Sequence, residues 1–350
     1  MSSYRVALAG AGVIGRHHAM VISQLASALE LVAVADVVPS RAAALAAERG
    51  GRPYASLGEA LAAEEVDIVV VCTPTGLHGE VAIEALAAGK HVIVEKPAEI
   101  TVARTDEIIR ARDKADKMVT VISQHRFDPS TVRVLDAISS GQFGRVSSGI
   151  ASIDWWRGQS YYDSGDWRGT WELDGGGALM NQGVHTVDLL VAALGKPVEV
   201  FAYTGTLAHA RIEVEDVATG VVRFESGALG VLHATTSAYP GLSARLQVHG
   251  DRGSAVIDND ELAFFHATPV GEPIEERLMG TTQALSAADS SVAADPGALS
   301  DAHRLQYLNF LGALDGTERL VVDLETNRQS IAVITGAYES ARTGKPVRLA

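Results

Sequence analysis

Apolar runs and helical patterns alternate over the first 123 residues. Val6–Ala9, Leu31–Ala35, Asp67–Cys72, His91–Val94 and Met118–Ser123 read as strands. The Asp67–Cys72 run is β-branched and apolar after its first residue, as in a strand buried on both faces. Between these runs fall helical patterns at Val13–Ala28, Pro39–Arg49, Gly76–Ala88 and Thr101–Lys117, and another opened by the capping box Ser56-x-x-Glu59. Pro39 suits a first helical turn, and Gly89 suits the residue after a helix end. Strand–helix alternation of this kind predicts a parallel sheet with helices on both faces.

Beyond residue 125 the pattern changes. Pro129–Ser139 reads as a helix and Val146–Ile153 as a strand, followed by an aromatic loop and a helix around Ala178–Leu194. Strand-like runs then recur at Val198–Thr206, Val214–Phe224, Leu229–Thr236, Ala244–His249, Ser254–Asp258 and Leu262–His266. Short turns such as Glu225-Ser226-Gly227 between them predict antiparallel meanders. Thr281–Gly297, rich in Ala, Ser, Asp and Gly, reads as a loop, and helices near Leu299–Leu314 and Glu325–Thr343 close the chain. The predicted division is an α/β Rossmann domain at 1–125 and an α+β domain with an open, mostly antiparallel sheet at 126–350. The last helix is free to pack back on the first domain.

Composition narrows the function. A chain of 350 residues exceeds the roughly 250–300 at which one core stops growing. The net charge of −14 disfavours nucleic acid and anionic membranes as partners. The single cysteine, Cys72, excludes an internal disulfide and any multi-cysteine metal site. With no apolar run near the ~20 residues of a spanning helix, and no secretory signal pattern, the expected location is the cytoplasm.

Gly10-Ala11-Gly12-Val13-Ile14-Gly15 fits G-x-G-x-x-G between a predicted strand and a predicted helix. Gly10 permits the tight turn, Gly12 lets backbone approach a pyrophosphate, and Gly15 lets helix and strand pack closely. Asp36 ends the second strand about 20 residues on, where a carboxylate accepts ribose hydroxyls and repels a 2′-phosphate. That favours NAD. Arg41 keeps NADP as an alternative if it pairs with a 2′-phosphate, although a helix-surface charge explains it better.

Three further motifs follow in order: Thr73-Pro74-Thr75-Gly76-Leu77-His78, then Glu95-Lys96-Pro97, then Gly175–Gly177 leading through Asn181 and His185 to Asp188. In order and spacing they resemble the glucose–fructose oxidoreductase/inositol dehydrogenase/rhizopine-catabolism (Gfo/Idh/MocA) family over nearly the whole chain. The resemblance implies a Rossmann domain and a second domain whose open sheet forms a homodimer or homotetramer interface. It adds Thr73, Pro74, His78, Glu95 and Lys96 to the cofactor set. Lys96 would contact the substrate hydroxyl, and His185 would lie near the reacting group. Asn181 stands where many members carry aspartate; it can hydrogen-bond but cannot relay a proton.

The residue types agree with that implication. Hydride transfer from a carbinol needs a base for the hydroxyl proton and groups that orient the substrate. Lys96 suits the base; partial burial and a cationic nicotinamide would lower its pKa from about 10.4, so oxidation is expected to favour mildly alkaline pH. His185 and Asn181, four residues apart, would share a helix face, with Asp188 as an orienting or capping acid. Trp156, Arg157, Tyr162, Trp167 and Arg168 offer flat apolar faces and forked donors suited to a sugar ring, or else a packed flap. Arg126, just after the last Rossmann strand, is a further substrate-contact candidate. His17 and His18 read as helix-surface or cofactor-adjacent groups, and no metal need be invoked. The leading expectation is an NAD-dependent dehydrogenase interconverting a secondary ring alcohol and ketone of a sugar or cyclitol, including a pyranose 3-hydroxyl. An NAD-assisted glycoside hydrolase and a non-catalytic cofactor-binding sensor stay open as alternatives.

Overall fold

The computed structural model describes residues 3–268, 271–274 and 298–349, so the expected loop at Thr281–Gly297 lies outside them. The chain divides into two compact units. One holds residues 1–123, 172–175 and 300–328; the other holds 124–171, 176–299 and 329–350. Residues 172–175 and 300–328, expected in the second domain, therefore cluster with the first.

The first unit carries six strands, β1 (Tyr4–Ala9), β2 (Leu29–Ala35), β3 (Arg52–Tyr54), β4 (Ile68–Val71), β5 (His91–Val94) and β6 (Val119–Val121). They form one sheet in the order β3-β2-β1-β4-β5-β6, with every pairing parallel. This is the doubly wound order in which ligands seat at the carboxyl ends of the strands, where the order reverses beside β1. All four residues of β4 are buried, so the unbroken apolar run is explained by helices on both faces. The capping box forms as read: Ser56 accepts from the Glu59 amide and Glu59 accepts from the Ala55 amide. Arg52–Tyr54 is too short and too exposed for its sequence to signal a strand. Helix 298–314 places Tyr307, Phe310 and Leu311 in this unit's core beside Val6, Leu8 and Ile93.

The second unit carries β7 (Val146–Asp154), β8 (Pro197–Gly205), β9 (Val217–Phe224), β10 (Leu229–Thr235), β11 (Ala244–Gly250), β12 (Gly253–Asp258), β13 (Glu261–Ala267) and β14 (Val347–Arg348). Their order is β13-β12-β11-β7-β10-β9-β8-β14. Only the β7–β10 pairing is parallel. One face packs under helix Val184–Leu194 through residues such as Ala151, Val222 and Leu232. On the other face Val221, Leu229 and Tyr203 remain exposed. Gly149 lets the helix lie close to the sheet, because a Cβ there would come 2.8 Å from Leu190 Cδ1 and 3.0 Å from the Gln247 carbonyl. Gly149→Val is expected to lower stability by about 1–3 kcal/mol through overpacking, read as a lower urea midpoint at unchanged slope.

Candidate active site

The glycine turn is built by contact. Gly10 takes φ +102°, and a Cβ there would lie 2.4 Å from the Cys72 carbonyl. A Cβ on Gly15 would lie 2.0 Å from the Gly10 carbonyl, whereas one on Gly12 would meet open space. Helix Val13–Gln24 starts with no side-chain cap, which leaves its first amides to an anion. Val13 is exposed and Ile14 half-buried beside them. Asp36 fastens the turn: one carboxylate oxygen accepts from the Ala11 amide and the other from the Val38 amide, both at 2.8 Å. Arg41 is exposed on the following helix. The Thr73 hydroxyl is buried without a hydrogen-bond partner. An uncapped helix start, an open glycine and an orphaned hydroxyl at one sheet edge fit a dinucleotide.

His78 is placed differently from its reading as a cofactor contact. It is buried, and its ring nitrogens lie 2.8 Å from the Pro97 carbonyl and 2.9 Å from the Thr73 carbonyl. A neutral imidazole has one N–H, so the ring donates to one of these carbonyls and abuts the other, and it lies between the Thr73-Pro74 turn and the Lys96-Pro97 turn. Burial lowers its pKa, against the pull of the two carbonyls and Glu95. Lys96 is half-buried, and its peptide to Pro97 is cis. The Glu95 side chain turns inward and accepts from the Lys96 amide at 3.0 Å and from His18 Nε2 at 2.8 Å. His18, read as a helix-surface or cofactor-adjacent group, is fully buried.

In the second unit, Asn181 lies in a π-helical turn, Ala178–Gln182, and His185 in the helix that follows Gly183. The four-residue spacing between them therefore spans the junction of a π turn and an α-helix. Glu215 anchors this turn by accepting from the Gly177 and Leu179 amides and the Tyr338 hydroxyl. Burial pushes its pKa up to about 7 against those donors. Gln182 is the hub the sequence did not reveal: its amide donates to Asn181 Oδ1 and the Tyr161 hydroxyl, and its carbonyl accepts from Arg157. The Arg157 Nε is buried and lacks a partner. Arg168 stacks over both Tyr161 and Trp167, at 4.4 and 4.5 Å.

Two sequence assignments need correction here, Arg126 and Tyr162. Arg126 is buried in a bidentate pair with Asp188 at 2.6 and 2.7 Å, so it anchors the helix that bears His185 instead of reaching for substrate. Asp188 accepts from Arg126 and Ser330. Tyr162 is buried with its hydroxyl on Thr236, and burial raises its pKa to about 12; its neighbour Tyr161 takes the polar role. Trp156 is exposed and packs its edge on Tyr239.

A cavity of about 220 Å³ in this unit is lined by His125, Trp155, Gln182, His185, Arg245 and Asp260. His125 stands edge-on to His185, with ring centroids 4.9 Å apart. Its Nδ1 lies 2.8 Å from Asp128 and 3.0 Å from Asp260. Burial disfavours the charged ring, but the two carboxylates prevail and lift its pKa to about 9. No periodicity announces Asp260, which comes from the β12–β13 turn. Two clusters, His125/Asp128/Asp260 and His18/Glu95/His303, gather metal-ligand residue types. Within each, histidine and carboxylate already hydrogen-bond to one another.

Comparison with known proteins adds the following. Residues 4–123 match the oxidoreductase family with an NAD-binding Rossmann fold, and residues 131–256 match the GFO/IDH/MocA C-terminal domain. The myo-inositol 2-dehydrogenase of Thermotoga maritima is 30% identical over 268 residues, 73% of this chain and 75% of its own. The 1,5-anhydro-D-fructose reductase of Ensifer adhaerens is 29% identical over 354 residues, 99% and 98% of the two chains. The crystal structure of the WlbA dehydrogenase from Chromobacterium violaceum, in complex with NADH and UDP-GlcNAcA, is 35% identical with a TM-score of 0.87, covering 99% of this chain and 96% of that one.

The His125 pair carries a pH prediction. A histidine raised from about 6.5 unfolded to about 9 folded stabilises fully below the unfolded value. That contribution, on the order of 3 kcal/mol, is lost as pH rises through about 9. Thermal melts should show wild-type Tm falling from pH 7 to 10 more steeply than that of His125→Gln.

Proposed function

The chain belongs to the GFO/IDH/MocA oxidoreductase family and is an NAD-dependent oxidoreductase, and from that premise we propose that it interconverts a secondary ring alcohol and ketone of a sugar. The reading rests on the 35% identity, over 99% of the chain, to a dehydrogenase seen holding NADH and UDP-GlcNAcA. A pyranose carried on a nucleotide is therefore the substrate we assign first, with its 3-hydroxyl as the position the family resemblance suggests. The net charge of −14 opposes such an anion. Locally, Arg157 and Arg168 among Tyr161 and Trp167 supply cations and flat faces that favour it. A free cyclitol or anhydrosugar is the second reading, supported by the inositol dehydrogenase and anhydrofructose reductase relatives.

When bound, the nicotinamide supplies the hydride acceptor. Gly10, Gly12, Gly15 and Asp36 would hold the dinucleotide, with Thr73 offering its hydroxyl. Lys96 takes the proton of the reacting hydroxyl, and His185 hydrogen-bonds the substrate. Asn181 orients and does not relay, because an amide hydrogen-bonds without gaining or losing a proton. The Asp36 carboxylate favours NAD over NADP. We further propose that the protein is cytoplasmic and that two or four copies pair through the open sheet face. Among the described residues no helix is long and apolar enough to cross a membrane.

Two measurements check this reading. Nucleotide-linked pyranoses, inositols and anhydrosugars are screened by NADH formation with NAD and NADP in parallel. Lys96→Ala should lose at least about 100-fold in kcat, the low end for a general base, while NAD binding by calorimetry stays within a few fold. Equal rates in the two proteins would remove the lysine from the mechanism, and release of a leaving group without net NADH would indicate hydrolysis. For assembly, Val221→Asp with Leu229→Asp should shift light-scattering mass to a single chain; an unchanged mass would exclude this face.

A further inference from the structure

Gln182 joins three other side chains of the second unit in a chain of hydrogen bonds whose direction is fixed. An arginine side chain only donates, so the 2.8 Å contact from Arg157 Nη2 obliges Gln182 to face it with Oε1. Gln182 Nε2 is then turned the other way. Its two hydrogens go to the Tyr161 hydroxyl at 3.0 Å and to Asn181 Oδ1 at 2.8 Å. Gln182 is 8% exposed and spends its whole donor capacity on these two contacts. Reversing its amide would set N–H against N–H at Arg157 and oxygen against oxygen at Asn181. Arg157 is itself held at several points. Its guanidinium carbon lies 5.2 and 5.3 Å from the centres of the Trp155 and Tyr161 rings. Its amide donates to the Thr236 carbonyl at 2.8 Å, and its own carbonyl lies 2.7 Å from His209 Nε2. Neighbouring residues on a regular helix do not face each other, yet Asn181 and Gln182 do, within the π turn Ala178–Gln182.

We propose that Gln182, given its direction by Arg157, is a positioning residue that holds the Asn181 amide with Oδ1 toward Gln182, so that Asn181 meets the substrate with its N–H donors. This rests on the reading above in which Asn181 orients the substrate, and it adds the chemistry of that contact. An asparagine by itself carries a donor and an acceptor of nearly the same shape and is able to offer either. Here the direction comes from Arg157 through Gln182, and no proton moves along the chain. The substrate atom at Asn181 is therefore an oxygen that accepts a hydrogen bond, as in a ketone, an ether or the lone pair of a hydroxyl. A protonated amine, which only donates, is refused there.

Neutron diffraction on deuterium-exchanged crystals tests this directly, because it tells the deuterated nitrogen of an amide from its oxygen. The wild type should show Asn181 Oδ1 toward Gln182. In Gln182→Glu the new carboxylate keeps its bond from Arg157 but only accepts, so the Asn181 amide should turn over and donate to it. Asn181 Nδ2 toward Gln182 in the wild type, or an unturned amide in the variant, would overturn the proposal. If Gln182→Glu does not fold, Gln182→Met serves: the Asn181 amide should then occupy both orientations, and a single fixed one would overturn the proposal. Kinetics on the ring alcohol best turned over in the screen above separate positioning from mere support. Gln182→Glu should lower kcat/KM about tenfold, roughly the worth of one hydrogen bond. In an Asn181→Ala background, where no amide is left to turn, the same change should cost less than about twofold. Equal losses in the two backgrounds would assign Gln182 to support alone. Undiminished kcat/KM in Asn181→Ala would also overturn the proposal, by removing the substrate role on which it rests. A turned amide in Gln182→Glu would then still show that the chain sets the orientation, so the two failures are told apart.

Discussion

The first unit depends on one backbone contact: β1 ends so close to the Cys72 carbonyl that residue 10 has no room for a side chain. Gly10 turns there with a left-handed φ, and the helix that follows packs its Gly15 against the Gly10 carbonyl. The amide of Cys72 in turn donates to the Ala9 carbonyl at 2.7 Å, closing the β1–β4 ladder at the edge where the order of strands reverses. Everything assigned to cofactor binding hangs from that edge: the uncapped helix start, the Asp36 tether, the Thr73 hydroxyl and the Glu95-Lys96-Pro97 turn.

Much of this was legible because it is local. The glycine spacing, the Ser56–Glu59 capping box, the Pro39–Arg49 helix and the β-branched β4 are each set by residues within a few positions of one another. Seven of the eight strands of the second sheet were read to within a few residues, because short turns bound each apolar run; the two-residue β14 is too short to signal itself. What escaped depends on pairing across sequence. Nothing near Arg126 says that Asp188 will neutralise it, and nothing near His125 announces Asp260. Tyr161 and Tyr162 are adjacent in an aromatic window, and only tertiary packing decides which is buried. The π turn at Ala178–Gln182 escaped because Glu215, from a distant segment, binds the amides that open it.

Buried charges recur in both units with a common arrangement. Arg126 with Asp188, His125 with two aspartates, and Glu95 with His18 all hold ionised groups out of water by giving each a hydrogen-bonded partner. Such pairs add little net stability over well-packed apolar residues, yet breaking one leaves an uncompensated charge. They fix orientation: the first holds the helix of His185, the second stands against its ring, and the third sets the turn of Lys96.

The Asp36 tether has a consequence for coenzyme choice. Both carboxylate oxygens are already committed to main-chain amides, so this acid is a structural rivet as well as a reader of ribose. Swapping it for a small or basic residue to admit a phosphorylated ribose would release the Ala11 and Val38 amides together. Re-engineering this protein toward the phosphorylated coenzyme would therefore require a new acceptor for the glycine turn before any gain in recognition could appear.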